Sequence, residues 1–573
     1  MNDIMKKSLF LTICLLVTVF TGCTILKQTH RVSLPEEQIA FHNSPIYYAY
    51  LKAHLLVQQE QISEAIEAYK EALKLCPDCL PLLKEIAVLL VRSGHAGDAV
   101  QYIEKACKLD PKNVSLLVLL GRIYANLGKT GKAIEVFQKA FSIKPDNPEI
   151  CLLLGTLYAQ SGAYSKAIEK LDLLTKLLPN NPLAYYYKAR IFLDMRLMKE
   201  AEKMYYKALG INPFFFDALF DLAYLYEVQN KPKKAEECYN KILMLDYDNK
   251  IALERLGNLY MRQGKLESAL SVFERYSKLH REDLKNRLKI GIIHLKQRNF
   301  SRAIQDFSDL LKDKPEYDQA LYYLARTYEQ QGDVDKAIVQ YRLIKPGSSL
   351  WKTAQLRLAL IFARRDEYAT AIRVLQDALK VGKPQPELYL YMGIFYQDDN
   401  KKEKALEVLK EGLSKFPDNV DLLYRTGLVL DSLDRKEEAI KVMKKILKIE
   451  PANPEALNYI GYTYADMNIH LKEAEQLIKE ALESRPKDGY ILDSMAWVYY
   501  RMGNYSKALD YIQKALEFVS DDPIITEHAG DIYKAVGKTK EAIKYYKRAL
   551  LLHPQKPELI EEKIKELKFS TNH

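Results

Sequence analysis

LLVLLGRIYANLGKTGKAIEVFQKAFSIKPDN, Leu116 to Asn147, decides how the rest of the chain is read. A small residue, Gly121, is followed three places later by Tyr124 and then by Gly128 near a turn. Ala133, Phe137 and Ala140 complete the pattern. Apolar residues at these spacings lie on one stripe of each of two helices. LLLGTLYAQSGAYSKAIEKLDLLTKLLPNN, Leu152 to Asn181, keeps the same order, and so does DSMAWVYYRMGNYSKALDYIQKALEFV, Asp493 to Val519.

The period is 34 residues, counted from Ile46. Position 8 is Ala or Gly from Ala53 to Gly427 without an insertion, and position 20 is Ala in each unit through Ala439. The phase slips by one residue in the loop of the thirteenth unit, then resumes with Ala474, Ala496, Ala508, Gly530 and Ala542. Fifteen units run from Ile46 to Lys556. Small residues at positions 8 and 20 let two helix backbones approach closely, with positions 7, 11, 24 and 27 on the buried stripe. At the junction Pro145-Asp-Asn-Pro-Glu149, Pro145 cannot continue a helix. Asn147 can cap the next one, with Pro148 in its first turn and Glu149 near its positive end. A lone hairpin cannot bury its apolar face, so the units must stack. PELIEEKIKELKF, Pro557 to Phe569, is amphipathic and reads as the helix that closes the last face.

The repeat closely resembles the tetratricopeptide repeat (TPR). That resemblance implies an all-α fold: an α-solenoid, a right-handed superhelix of about fifteen hairpins with a C-terminal capping helix. It also implies a non-catalytic scaffold whose inner surface, lined by first helices, binds protein segments. Positions 2, 5, 9 and 12 face that surface in the family. Here they hold Tyr186 and Arg190, Phe220 and Tyr224, Tyr322 and Arg326, then Tyr462, Tyr490, Trp497 and Tyr500. Aromatics and Arg dominate interface energetics, so this set is the candidate partner-binding groove; packing between neighbouring first helices is the competing role for each. The eighth unit is basic, and Lys289 lies on or beside the same face. The family's carboxylate clamp needs Lys and Asn at positions 5 and 9. Tyr50 and His54 stand there in the first unit, so that specificity is not expected.

Lys345-Pro-Gly-Ser-Ser349 ends its helix early. Either a bend or a locally frayed turn there divides units 1–9, residues 46–351, from units 10–15, residues 352–556. Residues 557–573 form the capping helix and tail.

At the other end, Lys6 and Lys7 precede the apolar run Ser8 to Phe20. As a helix this run is about 20 Å long, too short for a hydrocarbon core of about 30 Å. Basic flank, short apolar centre and small residues Thr21-Gly22 match a secretory signal peptide. Cys23 follows directly, which resembles a bacterial lipobox, although Phe20 stands where Leu is usual. The resemblance implies loss of residues 1–22 and acylation of Cys23, with residues 23–45 as a lipidated tether. Several acyl chains on one residue hold firmly. Thr24 is not the Asp that retains such lipoproteins at the inner membrane, which points to the outer membrane, facing the periplasm. The alternatives are an ordinary signal peptide with a chance cysteine and a retained anchor helix.

The 573 residues carry a formal charge of +10. An exported chain rarely meets nucleic acid, so the charge is read as attraction to anionic envelope components. Of seven cysteines, five lie beyond Cys23, an odd number that argues against a disulfide framework. Cys76-Pro-Asp-Cys79 has CxxC spacing but fills an inter-repeat turn; the pair is a candidate disulfide or a pair of free thiols. A thiol oxidoreductase is the least favoured reading, because a redox pair sits at a helix N-terminus. A zinc site needs four ligands, and no others lie nearby in sequence. The chain lacks HExxH, GxSxG and a phosphate-cradling Gly loop. The expectation is therefore no catalytic residue, no metal and no cofactor.

ALNYIGYTYADMNIHLKEAEQLIKEALESRPKDGYILDSMAWVYYRMGNYSKALDYIQKAL, Ala456 to Leu516, resembles the C-terminal part of long periplasmic TPR lipoproteins. Some of these are adaptors of carboxyl-terminal processing proteases, linking protease to peptidoglycan hydrolases. The resemblance implies a lipid-anchored periplasmic scaffold with protein partners, a protease or cell-wall hydrolase among them, and with self-association open. The alternative is an assembly factor for an outer-membrane secretion, pilus or polysaccharide-export machine.

Overall fold

A computed structural model describes residues 45–570, with side chains through residue 568. The signal segment, Cys23 and nearly all of the expected tether lie outside the described residues. Thirty-one helices run from Pro45–Gln58 to Pro557–Ser570, and no strand occurs among the described residues. They form fifteen hairpins and one final helix. In the third repeat the first helix is Val114–Asn126 and the second is Thr130–Ile143. No described helix is long and apolar enough to cross a membrane.

Local chemistry sets the ends of each helix. Asn113, Asn147, Asn249, Asn419 and Asn453 each accept a backbone N–H of the helix that follows. Asp488 and Asp522 do the same before Gly489–Arg501 and Pro523–Ala535. The turn inside the hairpin is stricter. Position 15 has a positive φ in all fifteen repeats, from Gly128 at 71° to Arg298 at 60° and Asn400 at 58°. Lys129 N–H then reaches back to the Tyr124 carbonyl at 2.9 Å, closing the first helix by a left-handed cap. The one-residue slip sits in such a turn, which has two left-handed residues, Asn468 and His470.

The hairpins close as the small residues require. A Cβ added at Gly121 would lie 2.6 Å from the Phe137 ring, and Phe137 is fully buried. The pairs Gly257–Phe273 and Gly291–Phe307 repeat this arrangement. Successive hairpins are then joined by tyrosines at position 11. The Tyr226 hydroxyl donates to Glu202 at 2.7 Å, Tyr260 to Glu236 at 2.8 Å and Tyr499 to Glu475 at 2.7 Å. Tyr124 pairs with Glu104 in the same way. Gln138 and Gln513 serve Tyr158 and Tyr533 instead. These rings are core residues, as their spacing suggests, but their hydroxyls also bond the second helix of the preceding repeat.

The chain parts into two compact bodies between Asn286 and Arg287, within the helix Leu284–Lys296. Among the described residues of body one, the first helix, Pro45–Gln58, exposes positions that later repeats cover. Positions 3 and 10 are 1% and 2% exposed at Leu82 and Leu89, but 72% and 54% exposed at Tyr48 and Leu55. Body two ends with a covered face, where Ile560, Ile564 and Leu567 of the final helix are buried. Within body two, the second helix Val334–Leu343 has 10 residues where most have 14, and Gly347 in the link that follows has φ 113°.

Two glycines in one hairpin separate the packing rule from helix propensity. Gly121→Ala should lower stability by about 1–3 kcal/mol through overpacking against Phe137. Gly131→Ala, with nothing within 4 Å of the added carbon, should raise it by about 0.5–1 kcal/mol. Urea unfolding of both variants reads the opposite signs; equal destabilisation would refute the close-approach argument.

Candidate inner-face binding surface

First helices of consecutive hairpins lie side by side, Pro386–Asp398 against Val420–Ser432 and Pro454–Asp466 against Gly489–Arg501, which packs in turn on Pro523–Ala535. Their inner positions therefore line a wall in the last repeats of body two.

In body one, Tyr186 is 2% exposed and packs on Phe215, Tyr187 and Tyr205, with ring centroids 4.9, 5.3 and 6.2 Å away. Burial, then the nearby Asp221 carboxylate, pushes its hydroxyl pKa up. Arg190 donates to the Tyr186 hydroxyl at 3.5 Å and stands 3.6 Å from Asp221. Burial raises the Asp221 pKa, and Arg190 opposes that shift. Phe220 is half-buried beneath the Arg255 guanidinium, 5.2 Å from the ring centre. Tyr224 is 53% exposed. Tyr186 and Arg190 thus brace the wall, while Tyr224 presents an open ring.

In body two, Lys289 is half-buried. Tyr322 packs edge-on to Tyr341, and Arg326 lies 3.9 Å from Glu329. Glu329 also faces Arg357 at 3.9 Å and Arg364 at 3.4 Å, and accepts from Tyr341 at 3.0 Å. Further along, Trp497 is buried between rings, stacked on His528 at 4.0 Å and on Tyr500 at 4.8 Å. Its Nε1 is buried without a hydrogen-bond partner. Tyr462 is half-buried 6.2 Å from His528. Tyr490 is 56% exposed.

The centre of this last group was not legible from residue type. Asp493 and His528 are both buried, and His528 Nδ1 lies 3.0 Å from each Asp493 carboxylate oxygen. Burial opposes the charged imidazolium, but Asp493, with Asp531 and Glu527 beyond it, raises the pKa above its ordinary value. Lys563 of the final helix ties Glu527 and Asp531 together at 2.8 Å each. A signal did exist: Asp493 and His528 are 35 residues apart, at positions 5 and 6 of consecutive repeats.

Cys76 and Cys79 are free thiols in the structure, Cys76 at the C-cap of Ile62–Leu75 and Cys79 at the N-cap of Leu80–Arg92. Burial raises the Cys79 pKa, the reverse of what a redox nucleophile needs. Among the described residues no cluster of three or more His, Cys, Asp or Glu side chains is placed to hold a metal.

Tetratricopeptide repeat models match residues 46–79, 84–148, 127–191, 183–215, 220–282, 288–348, 392–456, 489–522 and 527–559. The chain belongs to the tetratricopeptide repeat family. A curated relative, TPR repeat-containing protein PA4667 of Pseudomonas aeruginosa, is 27% identical over 203 residues, 34% of this chain. The match spans 33% of that relative's length. A solved tetratricopeptide repeat protein from Parabacteroides merdae is 20% identical over 44% of this chain and 98% of its own, with a TM-score of 0.36. The structure of Naa15/Naa10 bound to HypK-THB is 12% identical over 92% of this chain and 97% of its own, with a TM-score of 0.33.

The His528–Asp493 pair makes a signed prediction for the repeats that carry it. Because the folded pKa is raised, its stabilisation is complete below the unfolded pKa of about 6.5 and is lost as pH rises through the folded pKa. Asp493→Asn should flatten or reverse this dependence, because burial without the carboxylate lowers the imidazole pKa, and should cost about 1–3 kcal/mol at and below neutral pH. Hydrogen exchange of the helices Gly489–Arg501 and Pro523–Ala535 across that pH range, corrected for intrinsic rates, is the measurement.

Proposed function

We propose that the chain is a lipid-anchored periplasmic scaffold that holds protein partners along the inner faces of its stacked first helices. The observation that carries the reading is the wall of half-buried aromatics and charged side chains, built on a family whose members bind proteins. Tyr224 and Tyr490 offer open rings of the kind that anchor interfaces. A processing protease or peptidoglycan hydrolase is the favoured partner, by the resemblance of Ala456 to Leu516 to protease-adaptor lipoproteins. The proposed anchor is Cys23, after removal of residues 1–22, in the outer membrane. The second reading, an assembly factor for a secretion, pilus or polysaccharide-export machine, would use the same surface with different partners.

Crosslinked capture from envelope fractions tests partner and anchor together. Native protein should recover a protease or cell-wall hydrolase; recovery of export or pilus components instead would favour the assembly reading. Cys23→Ala should release the chain from the membrane fraction or leave it unprocessed, and its mass should lack acyl chains. Native protein whose mass lacks acyl chains on Cys23 would refute lipid anchoring. Cys76→Ser with Cys79→Ser should leave partner capture unchanged.

A further inference from the structure

Two thiols occupy the first inter-repeat turn, at the places where later turns carry a hydrogen-bonded side-chain pair. Cys76 and Cys79 stand at positions 31 and 34 of the first repeat. In the second repeat those positions are Asp110 and Asn113, and the Asn113 side chain donates to the Asp110 carboxylate at 3.0 Å. Asn249 donates to Asp246 at 2.9 Å and Asn453 to Glu450 at 2.8 Å. Side chains at positions 31 and 34 therefore meet across the turn.

The backbone of the first turn matches that of the second. Cys76 has φ −137° and ψ 81°, against −131° and 83° for Asp110. Cys79 has φ −74° and ψ 103°, against −75° and 100° for Asn113. Cys79 N–H donates to the Cys76 carbonyl at 3.2 Å, as Asn113 N–H does to Asp110 at 3.3 Å. A four-residue turn closed in this way holds its end Cα atoms within about 7 Å, and a disulfide spans about 4.4–6.8 Å between Cα atoms. Lys105 of the next hairpin steadies the turn from outside, donating to the Pro77 carbonyl at 2.8 Å and lying 3.0 Å from Asp78. Cys79 makes no side-chain cap bond to the helix it precedes, unlike Asn113. The first turn thus lacks both the cap and the polar link of the second. It joins Ile62–Leu75 of the first hairpin to Leu80–Arg92 of the next. Among the described residues that first hairpin has a neighbouring repeat on one side only, and in a stacked array stability comes from neighbours.

We propose that Cys76 and Cys79 are oxidised to a disulfide that pins the first hairpin to the second. The oxidant is itself a disulfide, on a protein or in oxidised glutathione. One cysteine thiolate attacks it and expels a thiolate. The other then attacks the mixed disulfide and expels the second. Two electrons pass to the oxidant, and the two thiol protons go to solvent or to the expelled thiolates. Burial raises the Cys79 thiol pKa, which makes its thiolate a poor leaving group, so the closed bond resists exchange and is structural. The bond rests on the turn geometry; its oxidant in the cell rests on the proposed export to an oxidising compartment.

Trypsin leaves both cysteines in one peptide, Leu75 to Lys84, so its mass reads the bond directly. Full chain from envelope fractions, denatured and alkylated on lysis, should give this peptide unalkylated and lighter by two hydrogens than its reduced form, while Cys107, Cys151 and Cys238 are alkylated. Purified full chain in oxidised glutathione should give the same peptide. Glu450→Cys with Asn453→Cys should close a further bond in that buffer, which checks the register argument in a turn with no native cysteine. Reductant should speed amide exchange in Ile62–Leu75 and Leu80–Arg92 of the native chain by roughly tenfold, less than a typical disulfide gives because the closed ring is short. It should not do so in Cys76→Asp with Cys79→Asn, which restores the polar pair of the second turn. Alkylation of both cysteines in chain from the envelope, or failure to close the bond in oxidised glutathione, would overturn the proposal. A chain found reduced in the cytosol that still closes the bond in glutathione would support the turn argument and overturn the export reading instead.

Discussion

The structure depends on how closely two helices can approach. Where position 8 is Gly, even an Ala methyl would collide with the residue at position 24, as the 2.6 Å approach of a Gly121 Cβ to Phe137 shows. Ala at position 20 keeps the second backbone equally near. Once that distance is fixed, the left-handed residue at position 15 follows, because a short turn must reverse the chain without separating the helices. Eight of these fifteen turns use a residue other than Gly, including Arg298 and Asp434. Each accepts a cost of about 1–2 kcal/mol that the packed hairpin offsets.

Stacking adds a second layer of constraint, which is polar. The position 11 tyrosines bury their rings and hand their hydroxyls to Glu or Gln of the preceding repeat, 20 or 24 residues earlier. A bonded hydroxyl contributes about 1 kcal/mol net, but it also fixes the angle at which one hairpin meets the next, which apolar contact alone does not. In an array where each repeat touches only its neighbours, such local bonds set the stability of each junction.

The hairpins and their order were legible in the sequence because the period is uninterrupted over twelve units and small residues recur at two fixed places. The single slip was legible for the same reason. The inner-face pairs were not, because residue type alone does not show which partner lies across the wall. Tyr186 and Trp497 read as groove aromatics, and the structure shows both rings held between neighbouring side chains. The missing information was a set of offsets. Glu227 with Arg262, Glu329 with Arg364 and Asp493 with His528 are each 35 residues apart, while Tyr239 with Glu227 and Tyr341 with Glu329 are 12 apart. A 34-residue period places position 12 of one repeat beside position 13 of the next, and position 5 beside position 6. Read through those offsets, an acidic residue followed 35 places later by a basic one marks a wall pair.

The same offsets explain why charge can be divided along the wall without disturbing the fold. Positions 8, 15 and 20 determine the hairpin, and position 11 determines the stacking; positions 5, 6, 9, 12 and 13 carry neither task. Their side chains are constrained only by the repeats on either side, so a substitution there is felt locally. Body two uses that freedom in opposite ways at its two ends. Around Glu329, three arginines share one carboxylate and leave a positive surface. In the last repeats one cation, Lys563, is shared between two carboxylates, Glu527 and Asp531, and Asp531 also accepts from Tyr546. Both clusters place charge in partly buried sites, where screening by salt is weaker than on an open surface. The pairing of charges along the wall can therefore differ from repeat to repeat while the hairpins beneath it stay the same.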